Sequence, residues 1–330
     1  MKIISPLIIV LLLIALAYFG VAAGLTALFG VVIPYIAMVV FLLGFIYRVI
    51  NWAKSPVPFR IPTTCGQEKS LDWIKQNKID NPSSTLGVIV RMALEILLFR
   101  SLFRNTQAEV NGESKRLTYG SAKWLWLGGI VFHWSFLIIL VRHSRFFLEP
   151  IPGFIHLLEV SDSAFQIGVP LFYLTDAAIL AAVTFLFLRR VVAPQVKYIS
   201  QPADYFPLYL ILSIAITGVL MRYFIRVDVV SIKALARGLA TFQPNVPDGI
   251  GVLFYIHLFL VSVLAIYFPF SKLMHLGGVF LSPTRNLANN NRAVRHINPW
   301  NPDIKFHTYA EYEDEFREAM KKVGLPVDKE

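Results

Sequence analysis

The chain has 330 residues, 56% hydrophobic and 16% charged, with a formal net charge of +10. Soluble domains carry about 25% charged residues, so the composition excludes an ordinary soluble domain and specifies a membrane protein. Its basic residues lie between apolar runs rather than on one stripe, which argues against a nucleic-acid partner. The one cysteine, Cys65, rules out a disulfide framework, a CxxCH attachment motif and a self-contained iron–sulfur cluster, so any metal centre must rely on histidine.

Lys2 precedes an apolar run from Ile3 to about Ala23. Ser5 and Pro6 sit near its front and no clear small-residue cleavage site ends it, so it reads as a retained anchor, with a cleaved signal as the alternative. Gly24 to Gly30 reads as a tight connection, and Val31 to Ile50 as a second span closed by Arg48 and Lys54. The interval 51–123 is polar and punctuated by Pro56, Pro58, Pro62 and Pro82. Between Arg48 and Lys123 it holds twelve Lys and Arg, which marks this side as cytoplasmic. Within it, Leu86 to Phe103 is interrupted by Arg91, Glu95, Arg100 and Arg104, so an amphipathic helix on the inner surface or against a partner is expected there rather than a crossing.

Trp124 to about Val141 is the third expected span, running outward. An outer loop at 144–166 and a fourth span, Ile167 to Leu188, closed by Arg189 and Arg190, follow it. Tyr205 to Phe224 is the fifth span, with small residues at Thr217 and Gly218. An outer connection at 225–250 leads to the sixth, Gly251 to His275. The fold expected is therefore all-α, a polytopic membrane bundle of about six transmembrane helices with both termini cytoplasmic in a cell membrane. It divides into an N-terminal anchor at 1–30, a membrane domain at 31–281 containing the cytoplasmic interval 51–123, and a cytoplasmic tail at 282–330. The tail's Tyr309 to Val323 has acids early and lysines late, which suits a helix dipole.

Two of the spans carry histidine pairs, His133 and His143 ten residues apart, and His257 and His275 eighteen apart. On a continuous helix eighteen residues make five turns, so the second pair would share one face over roughly 27 Å, close to the hydrocarbon thickness of about 30 Å. Ten residues give roughly 15 Å and a rotation of about 80°, so the spacings are unequal. Imidazole in hydrocarbon requires a partner. A bis-histidine b haem, with one nitrogen from each of two helices and an apolar macrocycle, meets that requirement. Antiparallel spans would pair His133 with His275 as ligands of an inner haem iron, and His143 with His257 as ligands of an outer one. The plainer reading is that each histidine bonds a backbone carbonyl in a polar core. Two other functional classes stay open, a histidine-relay proton channel or transporter and a membrane anchor without redox work.

The segment VVIPYIAMVVFLLGFIYR, the histidine spacings of 10 and 18, and FPFSKLMH around His275 resemble the gamma subunit of respiratory nitrate reductase, over about residues 31–285. The added N-terminal span, CGQEKSLDWIKQNKIDNPSS and RMALEILLFRSLFRN resemble the DsrM family more closely, the dihaem cytochrome b subunits of the Dsr membrane complex linked to sulfite reduction. The resemblance implies two b haems held by His133, His143, His257 and His275, and menaquinone near the outer haem. It further implies a cytoplasmic iron–sulfur partner resembling heterodisulfide reductase, with further membrane and periplasmic subunits of a Dsr-type complex. It carries over no quinone residue.

Other residues stand around these pairs. Arg142, Arg145, Arg222 and Arg226 lie at outer span ends, where they either meet haem propionates or anchor the interface. Asp176, ten residues into the fourth expected span, either relays quinone protons or accepts a hydrogen bond from a neighbouring helix. His156 and Glu159 sit in the outer loop, where proton exchange is the functional reading and surface placement the plain one. Cys65 reads as incidental unless shared with a partner's cluster, and His296 and His307 as surface residues.

Overall fold

The computed structural model describes residues 2–55, 75–110, 112, 115–163, 170–289 and 307–329. Cys65, His296 and the prolines at 56, 58 and 62 lie outside the described residues.

Helix α1 (Ile4–Ala22) is apolar all round, and the chain turns at Gly24, whose φ of 84° is open to glycine without strain. The connection is shorter than the expected 24–30. A π-helical turn at Leu28–Val32 runs directly into α2 (Ile33–Ala53), whose second residue, Pro34, has no N–H to donate back into that turn. Helix α3 (Thr85–Leu98) starts at Ser84, whose hydroxyl accepts the Gly87 N–H at 3.3 Å. The expected single helix over 86–103 breaks at Phe99, which adopts φ 49°, and resumes as α4 (Arg100–Arg104). A hairpin that the sequence pattern does not announce follows, β1 (Thr106–Val110) antiparallel to β2 (Leu117–Ser121), with Thr106 opposite Ser121.

Helix α5 (Lys123–His143) carries the first histidine pair and α6 (Gly153–Asp162) occupies most of the expected loop beyond it. Helix α7 (Leu174–Val192) begins seven residues later than the sequence reading placed it, after the non-helical residues 170–173. Asp176 therefore lies in the first turn of α7 rather than deep in a span. A short α8 (Pro194–Ile199) leads to α9 (Pro202–Val219), which ends in a π-helical turn at Leu220–Phe224. The connection at 225–250 is not plain loop. It contains α10 (Val229–Ala240), which buries Ile232, Leu235 and Ala236 and is capped by Asp228.

The last expected span is not one helix. Helix α11 (Val252–Tyr267) gives way at Pro269 to two 3₁₀ turns, Phe268–Phe270 and Lys272–Met274, separated by Ser271 in extended conformation. His275 opens a separate helix α12 (His275–Leu281), followed by α13 (Pro283–Asn286). Proline cannot donate the next helical hydrogen bond, and its ring displaces the chain from the axis. Gly44 of α2 receives the break; a Cβ there would stand 2.8 Å from Pro269 Cβ, so only glycine lets the two segments meet. In the tail, α14 (Tyr309–Lys322) has a capping box between Thr308 and Glu311, close to the predicted 309–323.

Among the described residues five helical segments are long and apolar enough to cross a membrane: Ile4–Ala22, Leu28–Ala53, Lys123–Phe146, Pro202–Phe224 and Val252–Phe270. Helix α7, 19 residues long, packs against α5 and α9 and carries its charges at its ends, Asp176 at one and Arg189 and Arg190 at the other. The molecule is a helical multi-pass membrane bundle with about six spans. One core joins Val10 and Ala17 of α1, Leu210 of α9 and Tyr255, Phe259 and Leu260 of α11 around Phe29; a second joins Ile179 and Val183 of α7 to Ile211 of α9. Long apolar side chains such as Leu12 and Leu43 stay exposed on the perimeter, as a lipid-facing surface requires.

Candidate functional site

Two pairs of imidazoles face one another at opposite ends of the bundle. His133 of α5 and His275 of α12 have ring centroids 5.8 Å apart with planes at 84°. His143 of α5 and His257 of α11 are 6.4 Å apart with planes at 12°. Among the described residues no hydrogen bond joins the rings within a pair. Each ring is oriented through Nδ1: His133 donates to Gly129 O at 2.7 Å, His143 to Ile139 O at 2.7 Å and His275 to Lys272 O at 2.9 Å. A carbonyl only accepts, so Nδ1 carries the proton and Nε2 keeps a lone pair. His257 Nδ1 lies 2.9 Å from Thr217 Oγ1, which also reaches the carbonyls of Ser213 and Ile214, each at 2.9 Å. With the hydroxyl proton on one of those carbonyls, Oγ1 accepts from Nδ1–H and the fourth ring takes the same tautomer as the other three. Gly218 leaves room beside this ring, since a Cβ there would lie 3.5 Å from His257 Cε1.

The unequal spacing of ten and eighteen has a physical reason. His275 is not on the axis of α11, so the distance calculated for a continuous helix does not apply to it.

The surroundings of the pairs differ. Phe99, at the α3–α4 break, sets its ring edge-on to His133 at 5.0 Å, and the indoles of Trp126 and Trp134 donate to Leu98 O at 2.7 Å and Leu97 O at 3.0 Å. These bonds use carbonyls left free at a helix end and hold Phe99 in its left-handed conformation. The buried Arg91 ties this cap to the chain beyond α12, donating to Asp80 O at 3.1 Å, Leu287 O at 3.0 Å and Arg285 O.

Beside His143 lies a buried ionic network. Arg142, 7% exposed, donates to Asp176 Oδ1 at 2.7 Å and Thr175 Oγ1 at 3.1 Å, and its Nε stands 3.3 Å from Asp162 Oδ2. Tyr223 donates to Asp176 Oδ2 at 2.8 Å and accepts the Tyr173 N–H at 3.0 Å. The Arg142 and Arg222 guanidinium carbons lie 3.8 and 4.0 Å from the centroid of the Tyr173 ring, and Arg222 donates to Leu171 O at 3.0 Å. Two arginines and two aspartates balance in charge, which makes their burial tolerable.

Of the residues singled out from sequence, the four histidines meet in pairs, and Arg142, Arg222 and Asp176 meet in this network. Asp176 accepts bonds from both α5 and the end of α9. Arg145 pairs instead with Glu159 at 2.5 Å, while His156, Arg226 and His307 are exposed. Sequence reasoning placed Asp162 only among the acids of the outer loop and gave no role to Tyr173, Tyr223 or Phe99. It noted Thr217 only as a small residue, because a hydroxyl in an apolar run does not reveal which imidazole it faces.

Each pair offers two nitrogens, and among the described residues no group of three or more His, Cys, Asp or Glu is placed to hold a metal ion on protein donors alone. One metal atom bonded to a nitrogen of each ring at about 2 Å separates the ring centroids by about 6 Å. The observed separations fit that arrangement, and the shared tautomer leaves the required lone pairs. Donor sets of two suit an iron whose equatorial nitrogens come with a macrocycle.

These features define a multi-pass helical membrane protein with two facing imidazole pairs. The sequence profile of the nitrate reductase gamma subunit family matches residues 87–296. The chain belongs to that family. It is 46% identical over 282 residues to the Hdr-like menaquinol oxidoreductase cytochrome b-like subunit of Archaeoglobus fulgidus, covering 83% of this chain and 84% of that protein. It is 41% identical over 278 residues to the protein of the same description from Archaeoglobus profundus, covering 82% of each. The nitrate reductase gamma chain of Bacillus subtilis is 23% identical over 217 residues, 62% of this chain and 93% of that one.

Proposed function

We propose that this chain is a membrane cytochrome b subunit that carries two bis-histidine b haems and passes electrons between a quinone pool and a protein on the cytoplasmic side. His133 and His275 hold the inner iron, and His143 and His257 the outer. The observation that carries this reading is the two facing pairs, three of whose rings bond backbone carbonyls through Nδ1 and keep Nε2 free. The menaquinol oxidoreductase names of the Archaeoglobus relatives support menaquinone or menaquinol as the quinone; its site in this reading lies near the outer pair. The partner is a cytoplasmic iron–sulfur subunit resembling heterodisulfide reductase, within a Dsr-type complex that has further membrane and periplasmic subunits and serves dissimilatory sulfur metabolism. Both termini are cytoplasmic, residues 1–30 are an added anchor, 31–281 form the cytochrome b domain and 282–330 form the tail.

The haems, when bound, supply one-electron redox chemistry at two depths. The chain's own residues do the rest. Nδ1 bonds fix the imidazole planes and strengthen Nε2 as a donor. The apolar helices exclude water between the two levels. The Arg142–Asp176–Tyr223 network lies beside His143, where a quinol has to release protons as it gives up electrons.

The test is a reduced-minus-oxidised spectrum with a haem assay on the purified full chain. Two b haems per chain are expected, and His143→Ala and His133→Ala should each retain one. Absence of haem from folded protein would overturn the proposal, as would electron transfer from quinol that survives the combined His257→Ala, His275→Ala change.

A further inference from the structure

We propose that Arg48 binds a carboxylate of the molecule held by His275, a propionate of the inner haem. This inference rests on the haem reading above. A cavity of about 530 Å³ opens beside His275, lined by Arg48 and Trp52 of α2, Lys272, Gly278 of α12 and Arg285 among others. Its walls are largely apolar and its cations stand together, which suits a flat apolar body carrying an acid group.

The three cations are not equivalent. Lys272 donates to Asp204 at 2.6 Å, and Arg285 donates to Ser101 Oγ at 3.0 Å and lies 3.5 Å from Glu95. Both are balanced by protein carboxylates. Arg48 has no carboxylate partner among the described residues; its guanidinium carbon lies 5.3 Å from the Trp52 ring centroid, and its Nε is buried with no hydrogen-bond partner. A buried guanidinium donor left unpaired is unfavourable, and a cation in a membrane helix calls for a counter-ion. A carboxylate answers both needs and binds guanidinium in a charge-assisted, two-pronged manner. Helix α2 thereby acquires a binding role although it supplies no axial ligand.

An anionic lipid headgroup offers the same oxyanion chemistry, so the experiment separates the two sources. Full-length protein and its Arg48→Leu and Arg48→Lys variants are placed in nanodiscs of anionic or zwitterionic lipid, and haem content and the inner haem's midpoint potential are measured. Apoprotein is also loaded with haem dimethyl ester, which lacks free carboxylates. Arg48→Leu should make the inner haem harder to reduce by about tenfold in the ferrous-to-ferric ratio, about 59 mV for one electron, in either lipid. Arg48→Lys should recover most of that shift. Arg48→Leu should also speed loss of the inner haem on dilution about tenfold, and with the dimethyl ester that difference in retention should vanish. The proposal is overturned by an unchanged potential, by a retention difference that persists with the ester, or by effects confined to anionic nanodiscs. Should Arg48→Leu fail to fold, the same comparisons are made with Arg48→Gln. A parent protein without haem overturns the function proposed above instead, so the two failures are told apart.

Discussion

Thr217 Oγ1 stands 2.9 Å from His257 Nδ1 and within reach of two backbone carbonyls of its own helix, whereas the other three imidazoles bond carbonyls of their own segments. His257 is thus the one ring whose tautomer depends on a neighbouring helix. Thr217→Val should weaken retention of the outer haem about 10- to 100-fold, while Thr217→Ser should preserve it; haem loss on dilution, followed by absorbance, measures this. Glu313 is the corresponding local anchor in the tail, accepting the backbone N–H groups of Asp328 at 2.7 Å and Lys329 at 2.9 Å. Those bonds, followed by the smaller influence of Arg317, hold its carboxyl below its ordinary value of 4.5. A lowered folded value means that the stabilisation is complete above the ordinary value and is lost as pH falls through the folded one. The protection of the amides at residues 328–329, measured against their intrinsic exchange rate at each pH, should therefore fall on acidification below pH 4.5, and in Glu313→Gln it should be lower already at neutral pH. Histidine spacing was legible in the sequence because apolar runs make each polar residue conspicuous. The partners of Glu313 and Thr217 were not, since they are set by where the backbone turns.

At the scale of elements, the junction of α5, α6, α7 and the π-helical end of α9 is joined through Arg142, Asp162, Asp176 and Tyr223. The π turn at Leu220–Phe224 lies at the point where Arg222 and Tyr223 reach Tyr173 and Asp176. Removing one charge leaves the others buried and uncompensated. Arg142→Leu should lower stability by about 3–5 kcal/mol, and combining it with Asp176→Asn should cost less than the sum of the two single changes by about 1 kcal/mol or more. Denaturation of detergent-solubilised protein, read by near-ultraviolet circular dichroism, tests both; additive effects would show that the contacts do not couple. Much of this region escaped a reading based on hydropathy. Helices α6 and α10 are short and partly polar, so they look like loops, and no loss of apolar character marks the late start of α7. Both long histidine-bearing segments and the tail helix were legible, the first two from sustained apolar length and the last from its capping box and charge order.

For the whole molecule, the orientation proposed above, drawn from the excess of Lys and Arg over 48–123, has the α3–α4 cap and the hairpin in the cytoplasm and the α6 and α10 ends outside. Glu149 and Lys233, joined by an ion pair between the outer segments, should then be reachable only from outside, and Lys197 only from within. In a Cys65→Ser background, a cysteine at position 149 should react with an impermeant maleimide in intact cells, and one at position 197 only after permeabilisation. The reverse pattern would invert the proposed direction of the wire. The helical bundle was legible from composition because lipid permits few alternatives to helix. The hairpin and the covering of His133 by Phe99 were not, because they arise where the chain is back in a polar medium and hydropathy no longer constrains it.

The break at Pro269 has a consequence for how such a chain can vary. Were α11 continuous to His275, one residue gained or lost between the two histidines would swing the second by about 100° and unseat it from its partner. With the chain released from the axis at Phe268 and restarted at His275, register no longer passes from one pair to the other. The interval of eighteen, which coincides with five helical turns, is therefore a property of two separately fitted pieces. Length changes between residues 268 and 274 bear on the His133 pair alone, so the two ends of the bundle are free to diverge independently.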